Sequence, residues 1–187
     1  MNRLSNYVRP FLLLLLFSPF IYFQVVFLPV PAYEVKTYQQ FSTICNKHGM
    51  LVPSQDTLPD GDASYSIRLA SKNRWSAPKG YLIQIDVGDT SQEFVLSIDC
   101  SKSETLSWTS TEDSPYEEYG GVDIKINQNT WEVSEGNMAT LRRMEFSLDR
   151  YYYSAEALTM PPEESVLEET TQVLTNVAHS LIQQQTK

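Results

Sequence analysis

Cys45 and Cys100 are the only cysteines in the chain, and His48 and His179 the only histidines. Nucleophilic catalysis would have to draw on this small set. Cys45 has His48 within one helical turn, but no acid or amide is marked to orient the imidazole, and an activated thiolate needs a positioned base. A Ser/His/Asp arrangement would recruit one of the same two histidines, and no Gly-x-Ser-x-Gly elbow presents a serine. Zinc needs more nitrogen and sulfur ligands than this set supplies. Asp56, Asp60 and Asp62 around Gly61 have the carboxylates of a calcium loop but neither its DxDxDG order nor its distal glutamate, so they read as a turn. No phosphate cradle stands among the seven glycines. The expectation is no catalytic residue, no metal and no cofactor.

The cysteines read instead as a disulfide, an even count in an exported domain being the usual sign of one. A Cys45–Cys100 bridge would close a loop of about 55 residues and stabilise by about 4 kcal/mol in the chain-entropy model. Export itself is read from the first 32 residues. Arg3 and Arg9 precede an apolar run from Phe11 to Leu28, and Val30-Pro31-Ala32 fits a signal-peptidase site. The run is also nearly long enough to span a bilayer, so residues 1–32 are a signal peptide or a membrane anchor. Positive charge before the run and acidic bulk after it place residues 33–187 outside the cytoplasm, as one domain in a periplasmic, lumenal or secreted setting. Membrane contact is expected only through residues 11–28, if they are uncleaved.

Lys and Arg number 14 against 23 Asp and Glu over 187 residues, a formal charge of −9. Without the two leader arginines the balance is more acidic still. That argues against nucleic acid, which needs a basic face to release counterions. Aromatic residues are the remaining candidates for recognition. In Tyr151-Tyr152-Tyr153 two rings share one face of a strand and the third lies on the other. Tyr116, Tyr119 and Trp108 sit in or beside a polar stretch, residues 101–120, that also carries Glu112, Asp113, Glu117 and Glu118. A surface made by this stretch and the Tyr151–Tyr153 strand is the candidate binding site.

The elements that position these residues follow from periodicity. Val35, Tyr38, Phe41 and Cys45 fall on one helical face over residues 34–48, with Gly49 as the cap. Alternation predicts strands at 65–69, 81–87 and 93–100, the last two joined by a turn at Gly88-Asp89-Thr90-Ser91. Further strands are expected at 122–127 and 130–134 with a turn at Gln128-Asn129, then at 143–148 and 151–158, giving about seven. Pro161-Pro162-Glu163-Glu164 opens a final helix, whose stripe of Val166, Leu167, Thr170, Leu174, Val177, Ala178, Leu181 and Ile182 must cover an apolar face. The expected class is α+β, an antiparallel sheet of about seven strands with an N-terminal and a C-terminal helix packed on it.

Two alternating strands, then Leu158-Thr159-Met160-Pro161-Pro162 and a helix ending Ala178-His179-Ser180-Leu181-Ile182, resemble the closing part of PsbP-like envelope and lumen proteins. The resemblance covers residues 121–184. It implies an antiparallel sheet between helices, export or membrane tethering, and a role in assembly or binding. The polar stretch 101–120 and the cysteine pair depart from that family, and no functional residue carries over. The reading is a non-enzymatic extracytoplasmic binding or assembly module acting through a protein partner. The alternatives are a small envelope hydrolase, since acids distant in sequence can meet in space, and an acidic immunity or inhibitor protein.

Overall fold

The computed structural model describes residues 32–70, 76–89, 92–102, 115–161 and 163–185. Residues 1–31, with the expected leader, and Trp108, Glu112 and Asp113 lie outside the described residues. Eight strands form one antiparallel sheet: β1 Ala32–Val35, β2 Asp62–Leu69, β3 Pro78–Asp89, β4 Gln92–Ser101, β5 Tyr116–Tyr119, β6 Val122–Ser134, β7 Asn137–Leu148 and β8 Tyr151–Thr159. Their order is β1-β2-β3-β4-β8-β7-β6-β5. Two meanders therefore meet in the middle, where β4 pairs with β8 from Phe94↔Thr159 to Ser101↔Tyr152. The α+β class stands, and the sheet has eight strands rather than seven.

The count changes in three places, each for a local reason. Gln128-Asn129 is no turn: β6 runs straight through it, Arg142 Nε donates to Gln128 Oε1 at 3.0 Å, and the chain reverses at Glu135-Gly136. Tyr116–Tyr119, expected as loop, pairs with β6 because Gly120 and Gly121 both take positive φ, 59° and 78°, the geometry that closes a two-residue hairpin. Val35 belongs to β1, paired with Tyr65, and not to the first helix.

That helix, α1 Tyr38–Lys47, is shorter than the expected 34–48. Thr37 caps it by accepting from the Gln40 N–H, which fixes its start at Tyr38, three residues after Val35. Its end follows the expected glycine rule. Met50 N–H bonds Cys45 C=O and Gly49 N–H bonds Asn46 C=O, both at 3.0 Å, with Gly49 at φ 72°. The long helix α2, Glu164–Gln185, buries Val166, Thr170, Leu174, Val177, Ala178, Leu181 and Ile182, the expected stripe, while Leu167 is half-buried.

Both helices lie on the same side of the sheet, α1 over β2 and α2 over β4, β7 and β8. Beneath them the inward row of each strand is buried: Ile67, Tyr81, Ile83, Ile85, Leu96, Ile98, Tyr153, Met144, Phe146 and Ile124 among others. Each such side chain contributes about 1.5–3 kcal/mol by leaving water.

Residues 48–54 link both helices to the sheet. Tyr81 Oη donates to Leu51 C=O at 2.8 Å, Leu51 N–H donates to Tyr153 Oη at 3.0 Å, and Tyr151 Oη donates to His48 C=O at 3.1 Å. Tyr38 Oη bonds Pro53 C=O as well. From α2, Ser180 Oγ accepts from Ser54 N–H at 2.9 Å and Gln184 Nε2 donates to Val52 C=O at 2.9 Å. Tyrosine suits this duty because it buries a ring and still delivers a polar atom to a backbone group.

Candidate functional site

The expected aromatic surface is dispersed. Tyr151 and Tyr153 are in the core, their hydroxyls held by the 48–51 backbone, so they are not presented at the surface. Tyr152 points the other way and is half-buried. Tyr116 is 62% exposed on edge strand β5, with Lys125 Nζ 5.9 Å from its ring centroid. Tyr119 is half-buried and stacks on His179, centroids 3.4 Å apart and planes 9° off parallel, while its hydroxyl accepts from Gln183 Nε2 at 2.6 Å. Strands β6 and β7 separate β5 from β8, so these rings do not form one surface.

Cys45 and Cys100 are both buried and carry no bridge in this structure. Burial pushes the Cys45 thiol up to about 12 and raises Cys100 well above its usual value. Both stay protonated near neutrality, which removes the nucleophile that a Cys45–His48 reading needs. His48 caps α1 and gives its carbonyl to Tyr151. Among the described residues no three of His, Cys, Asp and Glu converge on a point where a metal ion could sit, and Asp56, Asp60 and Asp62 are exposed.

The side of the sheet away from the helices carries the other features. Strand pairing arranges its outward residues in rows across the strands. One row is Ser66, Leu82, Asp99, Ser154, Glu145, Lys125 and Tyr116; its neighbour is Ser64, Gln84, Ser97, Glu156, Arg143 and Asn127. These two rows form an ionic network. Arg68 grips Asp99 with both guanidinium nitrogens, Arg143 Nε meets Glu156 Oε1 at 2.7 Å, and Arg143 Nη1 lies 3.7 Å from Glu145. Ser154 Oγ donates to Glu156 at 3.2 Å. The side chains cover one another so well that Arg143 is only 9% exposed. Burial raises the Asp99 carboxyl above the usual carboxylate range, more than Arg68 lowers it, and raises Glu145 for the same reason.

The next row is different in kind: Asp62, Asp86, Val95, Leu158, Leu141 and Asn129, each the Cα partner of the one before. Gly61 fixes its acidic end, since a Cβ there would lie 2.4 Å from Asp86 C=O, so only glycine lets β2 enter this close and set Asp62 opposite Asp86. Beyond the row stand Met160, 49% exposed, and the pair Ala139 and Trp131, the latter 42% exposed. Val95 is 37% exposed, Leu158 and Leu141 half-buried. A cleft of about 510 Å³ opens at the acidic end of this apolar strip, lined by Asp62, Asp86, Gly88, Val95, Leu158 and Met160. This apolar strip among polar neighbours, on the face away from the two described helices, is the candidate site.

The sequence held a signal for it. Val95 follows Phe94, Leu158 follows Ala157, and Leu141 precedes Arg142 and Arg143, so each breaks the apolar-polar alternation of its strand on the polar side. No protein-family model, curated protein or solved structure matches the chain.

Proposed function

We propose that this chain is an exported, non-enzymatic binding or assembly module that engages a protein partner through the uncovered face of its sheet. The observation that carries the reading is the strip of Val95, Leu158, Leu141, Met160 and Trp131, apolar side chains, exposed or half-buried, on the face that neither described helix covers. Five inter-strand steps of about 4.8 Å make the row from Asp62 to Asn129 about 24 Å long, enough for one segment of a partner. Export rests on the pattern of Arg3, Arg9 and the Phe11–Leu28 run. Among the described residues no helix is long and apolar enough to cross a membrane. The likeness of residues 121–184 to PsbP-like proteins supports an assembly role.

The test is co-purification from the native compartment with the wild-type chain and with Val95→Asp and Leu158→Ser. A partner retained by wild type and lost from both variants, with their circular dichroism unchanged, is the expected result. Retention by both variants would sink the reading.

One observation favours hydrolysis as a second reading: the cleft holds two facing carboxylates, Asp62 and Asp86. Both are exposed, whereas a carboxyl that serves as general acid is held neutral by an apolar site. Turnover of chromogenic glycosides or esters that disappears in Asp86→Asn would favour this reading.

A further inference from the structure

The strip is ordered, with two carboxylates at one end and apolar side chains along the rest, and this order describes a ligand. We infer that it takes an extended segment of a partner protein laid across the strands, with one Lys or Arg over Asp62 and Asp86 and apolar side chains over Val95, Leu158 and Leu141. The inference deepens the binding reading above and rests on it.

Charge complementarity selects a cation at the acidic end. Asp62 and Asp86 are direct cross-strand partners, a placement in which like charges repel. Among the described residues neither has an ion pair, while the arginines of the same face are engaged elsewhere, Arg68 with Asp99 and Arg143 with Glu156 and Glu145. A cation from outside would relieve the repulsion while its apolar neighbours cover Val95 and Leu158.

Spacing selects an extended chain with a defined pattern. Counting from β3, Val95, Leu158 and Leu141 lie about 5, 10 and 14 Å from Asp86. An extended peptide turns every second side chain to the same side, about 6.7 Å apart. A cation at position i, held at Asp86 with Asp62 one strand behind it, therefore puts residue i+2 between Val95 and Leu158 and residue i+4 against Leu141, close to Trp131. The segment reads cation-x-apolar-x-apolar, in either chain direction.

The probe is a fluorescein-labelled peptide with Arg at i and Leu at i+2 and i+4 in a Gly/Ser background, titrated against the full chain by anisotropy. Two companion peptides replace Arg by Glu or both Leu by Ser. The Arg peptide should bind at least tenfold more tightly than either companion, and more weakly as salt rises. The double variant Asp62→Asn, Asp86→Asn, at exposed positions that leave the core untouched, should erase the Arg-over-Glu preference. Leu158→Ser should weaken the Arg peptide tenfold while keeping that preference. Equal binding of the Arg and Glu peptides would overturn the inference, as would a preference that survives the double Asn variant. So would a strip occupied by a second copy, seen as concentration-dependent dimerisation in sedimentation that Leu158→Ser abolishes. Charge-blind peptides together with a native partner lost from Val95→Asp would defeat this inference alone. A partner that ignores Val95→Asp would defeat the reading beneath it.

Discussion

Strand β4 faces two environments at once. Phe94, Leu96, Ile98 and Cys100 lie under the helices and are buried, while Val95, Ser97, Asp99 and Ser101 look outward. On the covered side each position is explained by packing, because an apolar helix stripe and an apolar sheet row remove one another from water. On the outer side packing explains the ionic rows only, where Arg68 pairs with Asp99 and Arg143 lies against Glu156 and Glu145. It does not explain Val95, Leu158 and Leu141. These three stand on the side where the pattern calls for a polar residue, which is why the binding proposal rests on them.

The widest separation between the faces should appear in core truncation. Phe41→Ala, beneath Tyr65 and Tyr81, is expected to cost about 3–5 kcal/mol in urea unfolding, and Ile98→Ala about 2–5 kcal/mol. Val95→Ala, three residues from Ile98, should change stability by no more than about 0.5 kcal/mol while weakening partner binding. Equal costs at 95 and 98 would erase the distinction.

Next in size is the polar rigging of each face. Tyr81→Phe leaves Leu51 C=O without its buried donor and should cost about 1–3 kcal/mol. Arg143→Met should cost a similar amount, about 1–3 kcal/mol, because Glu156 and Glu145 lose their cation in a half-buried setting.

Acid sharpens the comparison further. Asp99 and Glu145 have folded-state pKa values raised by burial, so the folded chain holds their protons more tightly than the unfolded chain does. Their contribution to stability therefore increases as pH falls through the raised values and levels off below the ordinary carboxylate range, near about 4. The difference in denaturation midpoint between wild type and Asp99→Asn should shift in favour of wild type on acidification from neutrality to pH 4. A wild type that loses ground to Asp99→Asn over that range would contradict the burial of this carboxyl.

The smallest effect is kinetic. Cys45 and Cys100 should react with a thiol reagent only as fast as the chain unfolds, both labelling after denaturation without reductant. No labelling before reductant is added would show a Cys45–Cys100 bridge instead.

Much of the covered side was legible in the sequence, because periods of 3.6 and 2 are direct consequences of burying one face. The stripe from Val166 to Ile182 and the row Tyr81, Ile83, Ile85 were readable for that reason. Turns were read less well. Gln128-Asn129 has turn residues but pairs through its backbone, whereas Tyr119-Gly120-Gly121-Val122, two positive-φ glycines between strand formers, was the hairpin signal passed over among acidic neighbours. The strip was missed because its residues were absorbed into adjacent apolar ones, and because only the register of distant strands, Val95↔Leu158 above all, brings them into line. Composition alone does not assign the tyrosines. A ring that suits a recognition surface suits equally a buried contact to a backbone carbonyl, and only the 48–54 segment shows which use Tyr151 and Tyr153 serve.

The meeting of β4 with β8 sets the order in which the molecule can be made. The first meander ends with one long edge of β4 unsatisfied, and the strand that completes it begins some fifty residues later, at Tyr151. Until that strand has emerged, the inward row of Leu96, Ile98 and Cys100 has neither its central neighbour nor the cover of α2. Contacts so distant in sequence form slowly. A nascent chain of this topology leaves the β4 edge open until β8 is available, and an unpaired edge is a template for non-native pairing.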